Sequence, residues 1–381
     1  MRILYVALDQ TVPGTVGGSV HVEAVAQGLA RAGHDVHVAT RRGGAWPAGP
    51  VTWHACGPPL GSNRLRWTRA GAMAALARRI GAQVIMERYF NFGGEGILAA
   101  RRLGVPAVLE VNAPVVDYPG SAKAIVDRLL IVQPMRRWRD RLCRLTDLFV
   151  TPSAEILPAW VDRRRVLEVE WGADVDRFRP AGADRTPAAV DHGRVLCVFV
   201  GAFRAWHGAR LLAESLSRLH AAGDTRFGAV FVGEGPERAS VEAAARGLAG
   251  VTFTGAVAHA KVPAFLAAAD IGVAPFDTTR HGPLSLGFFW SPLKIFEYMA
   301  AGLPVVAPAL PRIERLITHG REGVLYDPAD PRALDRALAS LADAARRRAL
   351  GAAARARVER DFSWRAHCEA LDARLRALVP A

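Results

Sequence analysis

Short β-branched apolar runs alternate with amphipathic helical stretches along this chain, and that rhythm restricts the fold, because parallel strands need a crossover helix between them. Arg2 to Leu8 reads as a strand, Gly14 to Gly18 as a loop, Ser19 to Ala32 as a helix and Val36 to Thr40 as the next strand. Further strands are expected at Val51 to Ala55, Gln83 to Glu87, Ala107 to Val111, Leu148 to Thr151 and Val166 to Val169. Residues 172–193 are rich in Gly, Pro, Ala and Asp without apolar periodicity, as a linker would be. A second series follows, with strands expected at Val195 to Val200, Ala229 to Val232, Val251 to Thr254, Ile271 to Ala274, Val305 to Ala307 and Gly323 to Tyr326. The pattern therefore predicts an α/β chain of two Rossmann-like, doubly wound domains, residues 1–171 and 194–360. Pro331 to Leu378 reads as two or three helices interrupted around Asp361 to Trp364, with residues 361–381 expected as a closing helix that packs back on the first domain. Open α/β sheets bind ligands beyond the carboxyl ends of their strands, so chemistry is expected in a cleft between the two domains.

Length and composition agree with two globular domains: 381 residues, 51% hydrophobic and 22% charged. The opening Met1-Arg2-Ile3-Leu4-Tyr5-Val6-Ala7-Leu8-Asp9 lacks the longer apolar core of a secretory signal. No run approaches the roughly 18 apolar residues of a membrane span. A cytoplasmic protein is expected, with peripheral contact at the inner face of the membrane left open. Cys56, Cys143, Cys197 and Cys368 are far apart and suggest neither a disulfide framework nor a zinc site. The net charge of +13 would attract nucleic acid, anionic lipid or phosphorylated ligands alike. The only lysines are Lys123, Lys261 and Lys294, a bias that genomic composition explains as well as function does. No nucleic-acid reader motif accompanies the dispersed arginines, so no nucleic-acid partner is expected. From Lys123 to Leu145, Arg128, Arg136, Arg137, Arg139, Arg141 and Arg144 interleave with Leu129, Leu130, Ile131, Met135, Trp138 and Leu142. Such a helix lies on anionic lipid or packs on its own domain by its apolar stripe.

Two segments carry chemistry. Pro13-Gly14-Thr15-Val16-Gly17-Gly18-Ser19 joins the first strand to the first helix, where glycines admit a ligand to the backbone and a helix start favours an anion. A tight βα turn accounts for the same glycines, and the third glycine of a dinucleotide fingerprint is missing. The second segment runs from Phe289 to Ala307: Ser291 suits an N-cap, Pro292 the first helical position, and Gly302 the helix end. Ser291, Lys294 and Glu297 are spaced by three and share a helix face. Free amides with Lys294 suit a diphosphate, and Glu297 one turn deeper can accept hydrogen bonds from ribose hydroxyls. A surface helix with an ordinary Lys–Glu pair has the same spacing.

The second segment resembles the donor-binding region of family 4 glycosyltransferases, the large retaining group with the GT-B fold. The resemblance extends over nearly the whole chain through Val16-Gly17-Gly18, Ala32-Gly33-His34-Asp35-Val36, Gly172-Ala173-Asp174-Val175-Asp176-Arg177-Phe178-Arg179-Pro180, Val200-Gly201-Ala202-Phe203-Arg204-Ala205-Trp206-His207-Gly208, Val232-Gly233-Glu234-Gly235-Pro236-Glu237-Arg238 and Phe253-Thr254-Gly255. It implies that Glu297 holds the donor ribose and that Lys294, within Ser291-Pro292-Leu293-Lys294, contacts phosphate. Gly233, Glu234 and Gly235 resemble the loop beside the nucleoside, the backbone near Val257 the base pocket, and Gly17 and Gly18 the loop that closes over phosphate and acceptor. Phe289 stands where the family commonly has Glu, and Ala202 and His207 where it often has Arg and Lys. Phosphate neutralisation is then expected from Arg204, His207 and Lys294. Glu87, Arg88 and the Glu110-Val111-Asn112-Ala113-Pro114 segment are expected to face the cleft, with Asn112 toward the acceptor or transferred sugar; a structural Asn in a turn before Pro114 is the alternative.

The resemblance implies transfer of a sugar from a nucleotide diphosphate donor, UDP or GDP, with retention of configuration, to a small-molecule, glycan or lipid-linked acceptor. No metal and no cofactor beyond the nucleotide sugar are expected, because Asp174 and Asp176 lie in the hinge motif. A sugar-nucleotide epimerase of the same fold and a non-catalytic nucleotide-sugar or nucleic-acid binder are the other readings.

Overall fold

The computed structural model describes residues 1–14, 16–129, 133–180 and 193–379. The chain divides into two compact units: residues 1–171 with 289–291 and 364–381, and residues 172–288 with 292–363.

The first unit opens with β1 (Arg2–Val12), α1 (Gly17–Arg31), β2 (Asp35–Arg42) and β3 (Thr52–Ala55). It continues through α2 (Ala70–Ile80), β4 (Val84–Arg88), α3 (Glu95–Leu103) and β5 (Ala107–Glu110). Then come α4 (Ala122–Leu129), α5 (Pro134–Arg144), β6 (Leu148–Thr151) and β7 (Val166–Glu168). Its seven strands form a parallel sheet in the order β3-β2-β1-β4-β5-β6-β7. β1 runs past the expected Leu8. Its register on β2 shifts between Ala7 and Thr11, and the Thr40 hydroxyl bridges the shift by donating to the carbonyls of Ala7 and Gln10. Helix α1 starts at Gly17, so Gly17 and Gly18 are helical where the sequence suggests a loop; Val16, in extended conformation, precedes them. Thr15 of that loop lies outside the described residues. The basic stretch from Lys123 to Leu145 is not one helix but α4 and α5, with Pro134 opening the second and disfavouring helix just before it. Leu130 and Ile131 lie outside the described residues.

The second unit contains β8 (Val195–Val200), α6 (Ala209–Ala221), β9 (Phe227–Val232), α7 (Arg238–Ala244), β10 (Val251–Gly255) and α8 (Val262–Ala268). It goes on with β11 (Ile271–Val273), α9 (Leu293–Ala300), β12 (Val305–Pro308), α10 (Pro311–Leu316), β13 (Gly323–Tyr326), α11 (Ala333–Ala339) and α12 (Ala344–Asp361). Its six-stranded parallel sheet is ordered β10-β9-β8-β11-β12-β13. The strand runs Val195–Val200 and Phe227–Val232 are almost wholly buried, as a sheet covered on both faces demands. Residues 172–180, which composition assigns to a linker, pack into this unit: Phe178 is buried, and Arg355 on α12 donates to the carbonyls of Val175, Phe178 and Ala300. The remainder of that linker, 181–192, lies outside the described residues.

The chain ends with α13 (Trp364–Leu378), which belongs to the first unit. It packs on α1 so closely that a Cβ on Gly28 would sit 2.3 Å from the Cys368 sulfur, and His34 Nε2 lies 2.6 Å from Asp372 Oδ1.

In the second unit, β11 contributes Gly272, over which the Tyr298 ring of α9 lies; a Cβ there would come within 2.5 Å of the ring. Gly272→Ala is therefore expected to lower unfolding stability by roughly 1–3 kcal/mol through overpacking. Urea denaturation checks this, and an unchanged midpoint would mean that Tyr298 does not lie against β11.

Candidate functional site

In each sheet the strand order reverses at the first strand of the unit, β1 lying between β2 and β4 and β8 between β9 and β11. The carboxyl ends of strands flanking such a reversal are where open α/β sheets take ligands. In the second unit the candidate residues converge there. Helix α9 is docked by Tyr298, whose hydroxyl accepts the Val200 N–H at 2.8 Å from the last residue of β8. One turn earlier on α9, Lys294 consequently lies beside the loop after β8: a Cβ on Gly201 would be 3.0 Å from its Nζ. That Nζ is buried and has no hydrogen-bond partner among the described residues. It lies 4.2 Å from the ring centroid of Phe199 and 5.3 Å from that of Phe276. The aromatic faces attract a cation, but they do not replace the hydrogen bonds that an ammonium has in water. Burial pushes the ammonium down to about 7, which Glu297 only partly opposes.

Glu297 is buried on the same helix. Its Oε1 accepts a hydrogen bond from His259 Nε2 at 2.7 Å, and the His259 ring lies against Phe178, with centroids 5.6 Å apart. Val257, two residues before His259, is half-buried in the loop after β10. The β9 loop closes onto the β8 loop through bare backbone: Gly233, at φ 138°, packs where a Cβ would be 2.0 Å from the Gly201 carbonyl oxygen. Gly235 packs closely on Phe203, where a Cβ would be 2.6 Å from the backbone nitrogen. Glu234 between them is paired with Arg238. Arg204 is exposed, and its guanidinium makes no hydrogen bond or ion pair among the described residues. His207 corrects an expectation. Its Nδ1 donates to the Ala202 carbonyl at 2.6 Å, and burial, reinforced by neighbouring Lys294, holds the ring down to about 2. It is a neutral imidazole, so positive charge here rests on Arg204 and Lys294.

Ser291 is not the N-cap of α9. The helix begins at Leu293 after Pro292, with no side-chain cap. The Ser291 hydroxyl is instead engaged within the first unit, donating to Glu170 at 2.7 Å and accepting the Trp171 N–H at 2.7 Å. Phe289, also in the first unit, is buried with its ring centroid 4.5 Å from that of Trp290.

The first unit carries its own polar cluster at the ends of β1, β4 and β5. Glu87, expected to face the cleft, is buried, and its two oxygens accept the N–H groups of Gly94, Gly96 and Ile97 at the start of α3. Burial, and the Glu95 carboxylate beside it, raise its pKa. Arg88 is directed inward as well, with Nη1 2.7 Å from Glu110 Oε1. Burial alone would raise the Glu110 pKa, yet His21, Arg88 and the Tyr5 hydroxyl bring it well below the usual carboxylate range. Asn112 is half-buried, with its amide fixed at both ends: Oδ1 accepts from Trp171 Nε1 at 2.9 Å, and Nδ2 donates to Glu110. Gly18 lies against the Gln10 side chain. The His21 ring lies tilted against Trp171, with centroids 4.4 Å apart.

His259, Phe199 and Phe276 in the second unit, and His21 and Tyr5 in the first, join these clusters without a sequence signal. Glu297 follows His259 by 38 residues, and the spacing matches no motif. Among the described residues no group of three or more His, Cys, Asp or Glu is placed to hold a metal ion. The Asp174 carboxylate accepts the N–H groups of Asp176 and Arg177.

Residues 16–177 match a family model described as Glycosyltransferase Family 4, and residues 194–344 match one described as Glycosyl transferases group 1. The chain is 30% identical to the D-inositol 3-phosphate glycosyltransferase of Geodermatophilus obscurus, over 94% of this chain and 84% of that one. Among solved structures, sucrose-phosphate synthase from Thermosynechococcus elongatus superposes with a TM-score of 0.74 at 21% identity, across 99% of this chain and 98% of that one. Anabaena HepE in complex with UDP-glucose superposes with a TM-score of 0.72 at 16% identity, across 99% and 100%. These similarities, with the two parallel sheets, show that the chain has the GT-B fold and belongs to glycosyltransferase family 4.

Proposed function

We propose that the second unit binds a nucleoside diphosphate sugar and that the chain transfers its sugar to an acceptor hydroxyl with retention of configuration. The observation that carries this reading is the buried Lys294 ammonium, without a hydrogen-bond partner among the described residues, beside the glycine loop after β8 and one helical turn from a buried carboxylate. An ammonium without a partner is stabilised by an arriving anion, and a diphosphate supplies one. Glu297, with Oε1 engaged by His259, is proposed to accept hydrogen bonds from ribose hydroxyls. The loops at Gly233 to Gly235 and near Val257 are proposed to flank the nucleoside. Arg204 is proposed to join Lys294 in stabilising charge on the departing diphosphate, the largest contribution a site of this kind makes to rate. His207 contributes a hydrogen-bonding nitrogen rather than charge.

UDP or GDP is the proposed nucleotide, supported by the UDP-glucose complex of the structurally similar HepE. On the first unit, Asn112 is proposed to face the acceptor or the transferred sugar, its amide oriented by Trp171 and Glu110. Glu87 has no such role in this reading, since its oxygens are committed to α3. The acceptor is proposed to be a small molecule, a glycan or a lipid-linked sugar.

Thermal-shift titration of the purified chain with UDP and GDP tests the donor site. One nucleotide is expected to raise the midpoint, and Glu297→Ala to weaken its binding roughly ten- to hundred-fold, the loss of hydrogen bonds to a charged group. If neither nucleotide shifts the wild type, the reading is wrong.

Lys294 also predicts a pH dependence. Bound diphosphate raises its pKa above the free value of about 7, so binding takes up a proton where the free amine is neutral. Nucleotide affinity is expected to be full below that value and to fall as pH rises through it. Calorimetry across pH checks this, with Lys294→Met giving a flatter and weaker profile; the same slope in that variant would assign the proton to another group.

A further inference from the structure

Helix α4 in the first unit has its polarity reversed. A helix on a water-soluble domain turns its apolar side chains inward and its charged ones outward. In α4 two of the three charged residues, Lys123 and Asp127, spaced by four, are engaged with the protein. The Lys123 ammonium donates to the carbonyls of Pro114 and Val116. Asp127 is buried and accepts the N–H groups of Met135 and Arg136 at 2.8 Å each, which fixes α4 against the first turn of α5. The large apolar residues look outward: Leu129 is 76% exposed, Ile125 50% and Val126 39%. At positions i, i+1 and i+4 they form one stripe, and exposed apolar stripes of this kind mark interaction surfaces.

The pair of helices that carries this stripe is rich in exposed cations. Arg128 on α4 is exposed, as are Arg137 and Arg141 on α5, and their guanidinium groups make no ion pair among the described residues. Arg137 and Arg141 are spaced by four and lie on one face of α5. Trp67, 47% exposed, packs edge-on against Trp138 of the same helix. Aliphatic and indole side chains flanked by free arginines match a bilayer interface, in which acyl chains meet anionic headgroups.

We propose that the α4–α5 face of this protein docks peripherally on an anionic lipid surface, with Ile125, Val126 and Leu129 entering the acyl boundary and the arginines pairing with headgroup phosphates. Charge favours this occupant over a second copy of the chain, which would bring the same cationic face. The aliphatic stripe favours it over nucleic acid, where base stacking uses aromatic side chains. No helix of the described residues is long and apolar enough to cross a membrane, so contact of this kind is superficial. The inference goes beyond the transfer reaction, and its readout needs neither donor nor acceptor.

The test is co-sedimentation of the full chain with vesicles of phosphatidylcholine alone or with about 30% phosphatidylglycerol. Binding is expected only to the anionic vesicles and is expected to fall at high salt. Ile125→Ser with Leu129→Ser, and separately Arg137→Glu with Arg141→Glu, should each weaken it about ten-fold or more. Thermal midpoints and nucleotide-induced shifts, recorded on the same variants, should match the wild type. No vesicle binding, equal binding to both vesicle types, or full binding by both variants would overturn the proposal. So would a chain that ignores vesicles but self-associates in a manner relieved by the serine variant, or one that ignores vesicles but binds RNA.

Discussion

The docking of α9 onto the sheet through Tyr298 underlies the organisation of the second unit. A large aromatic ring fits there only because β11 presents Gly272 beneath it, and the phenol oxygen then accepts a β8 amide that would otherwise end the strand unpaired. Packing and hydrogen bonding thus fix the helix in rotation and in translation. Side chains one turn toward the helix start have no choice of environment. Lys294 must lie beneath the β8 loop between two aromatic rings, and Glu297 must face the loop after β10.

The two units treat buried charge in opposite ways. In the first, Glu110 is surrounded by Arg88, Tyr5, His21 and Asn112, and Arg66 lies among Asp9, Glu87 and Glu95. Breaking one member of such a network leaves its partner uncompensated, typically at 3–5 kcal/mol, so the cluster resists rearrangement. In the second unit the Lys294 ammonium lacks a hydrogen-bonding partner among the described residues, and its lowered pKa expresses the cost of burial. A network of paired charges serves as rigid support, whereas a cation without an ionic partner is stabilised by what arrives.

Much of the fold was legible because parallel strands buried on both faces read as unbroken apolar runs; Leu148–Thr151, Val195–Val200 and Gly323–Tyr326 have the ends their sequences suggest. The extension of β1 through Asp9, Gln10 and Thr11 was not, since those residues are polar and the segment depends on Thr40 of the adjacent strand. Within the candidate site, the spacing of Lys294 and Glu297 placed them together on a helix. Ser291 also had the right spacing and still left the helix, because its partner Glu170 is 121 residues away and local capping rules cannot register it. Glu87 illustrates the same limit: a carboxylate at a strand end looks alike in sequence whether it meets a ligand or caps the next helix, and the N–H groups of Gly94, Gly96 and Ile97 decide the matter. His259 comes from a segment with no recognisable pattern, brought to Glu297 by tertiary packing, and Phe178, although part of the hinge motif, gives no sign in sequence that its ring lies against His259.

The partnership of His259 with Glu297 has a consequence for turnover. In the proposed reading that carboxylate grips the ribose, a part of the donor that is identical before and after the sugar has left. Stabilisation of this kind is equal in substrate, transition state and product, and so does not lower the chemical barrier. A well-positioned Glu297 would therefore retain the spent nucleotide as firmly as the fresh donor, making the protein prone to product inhibition and placing the slow step of a fast enzyme at nucleotide departure.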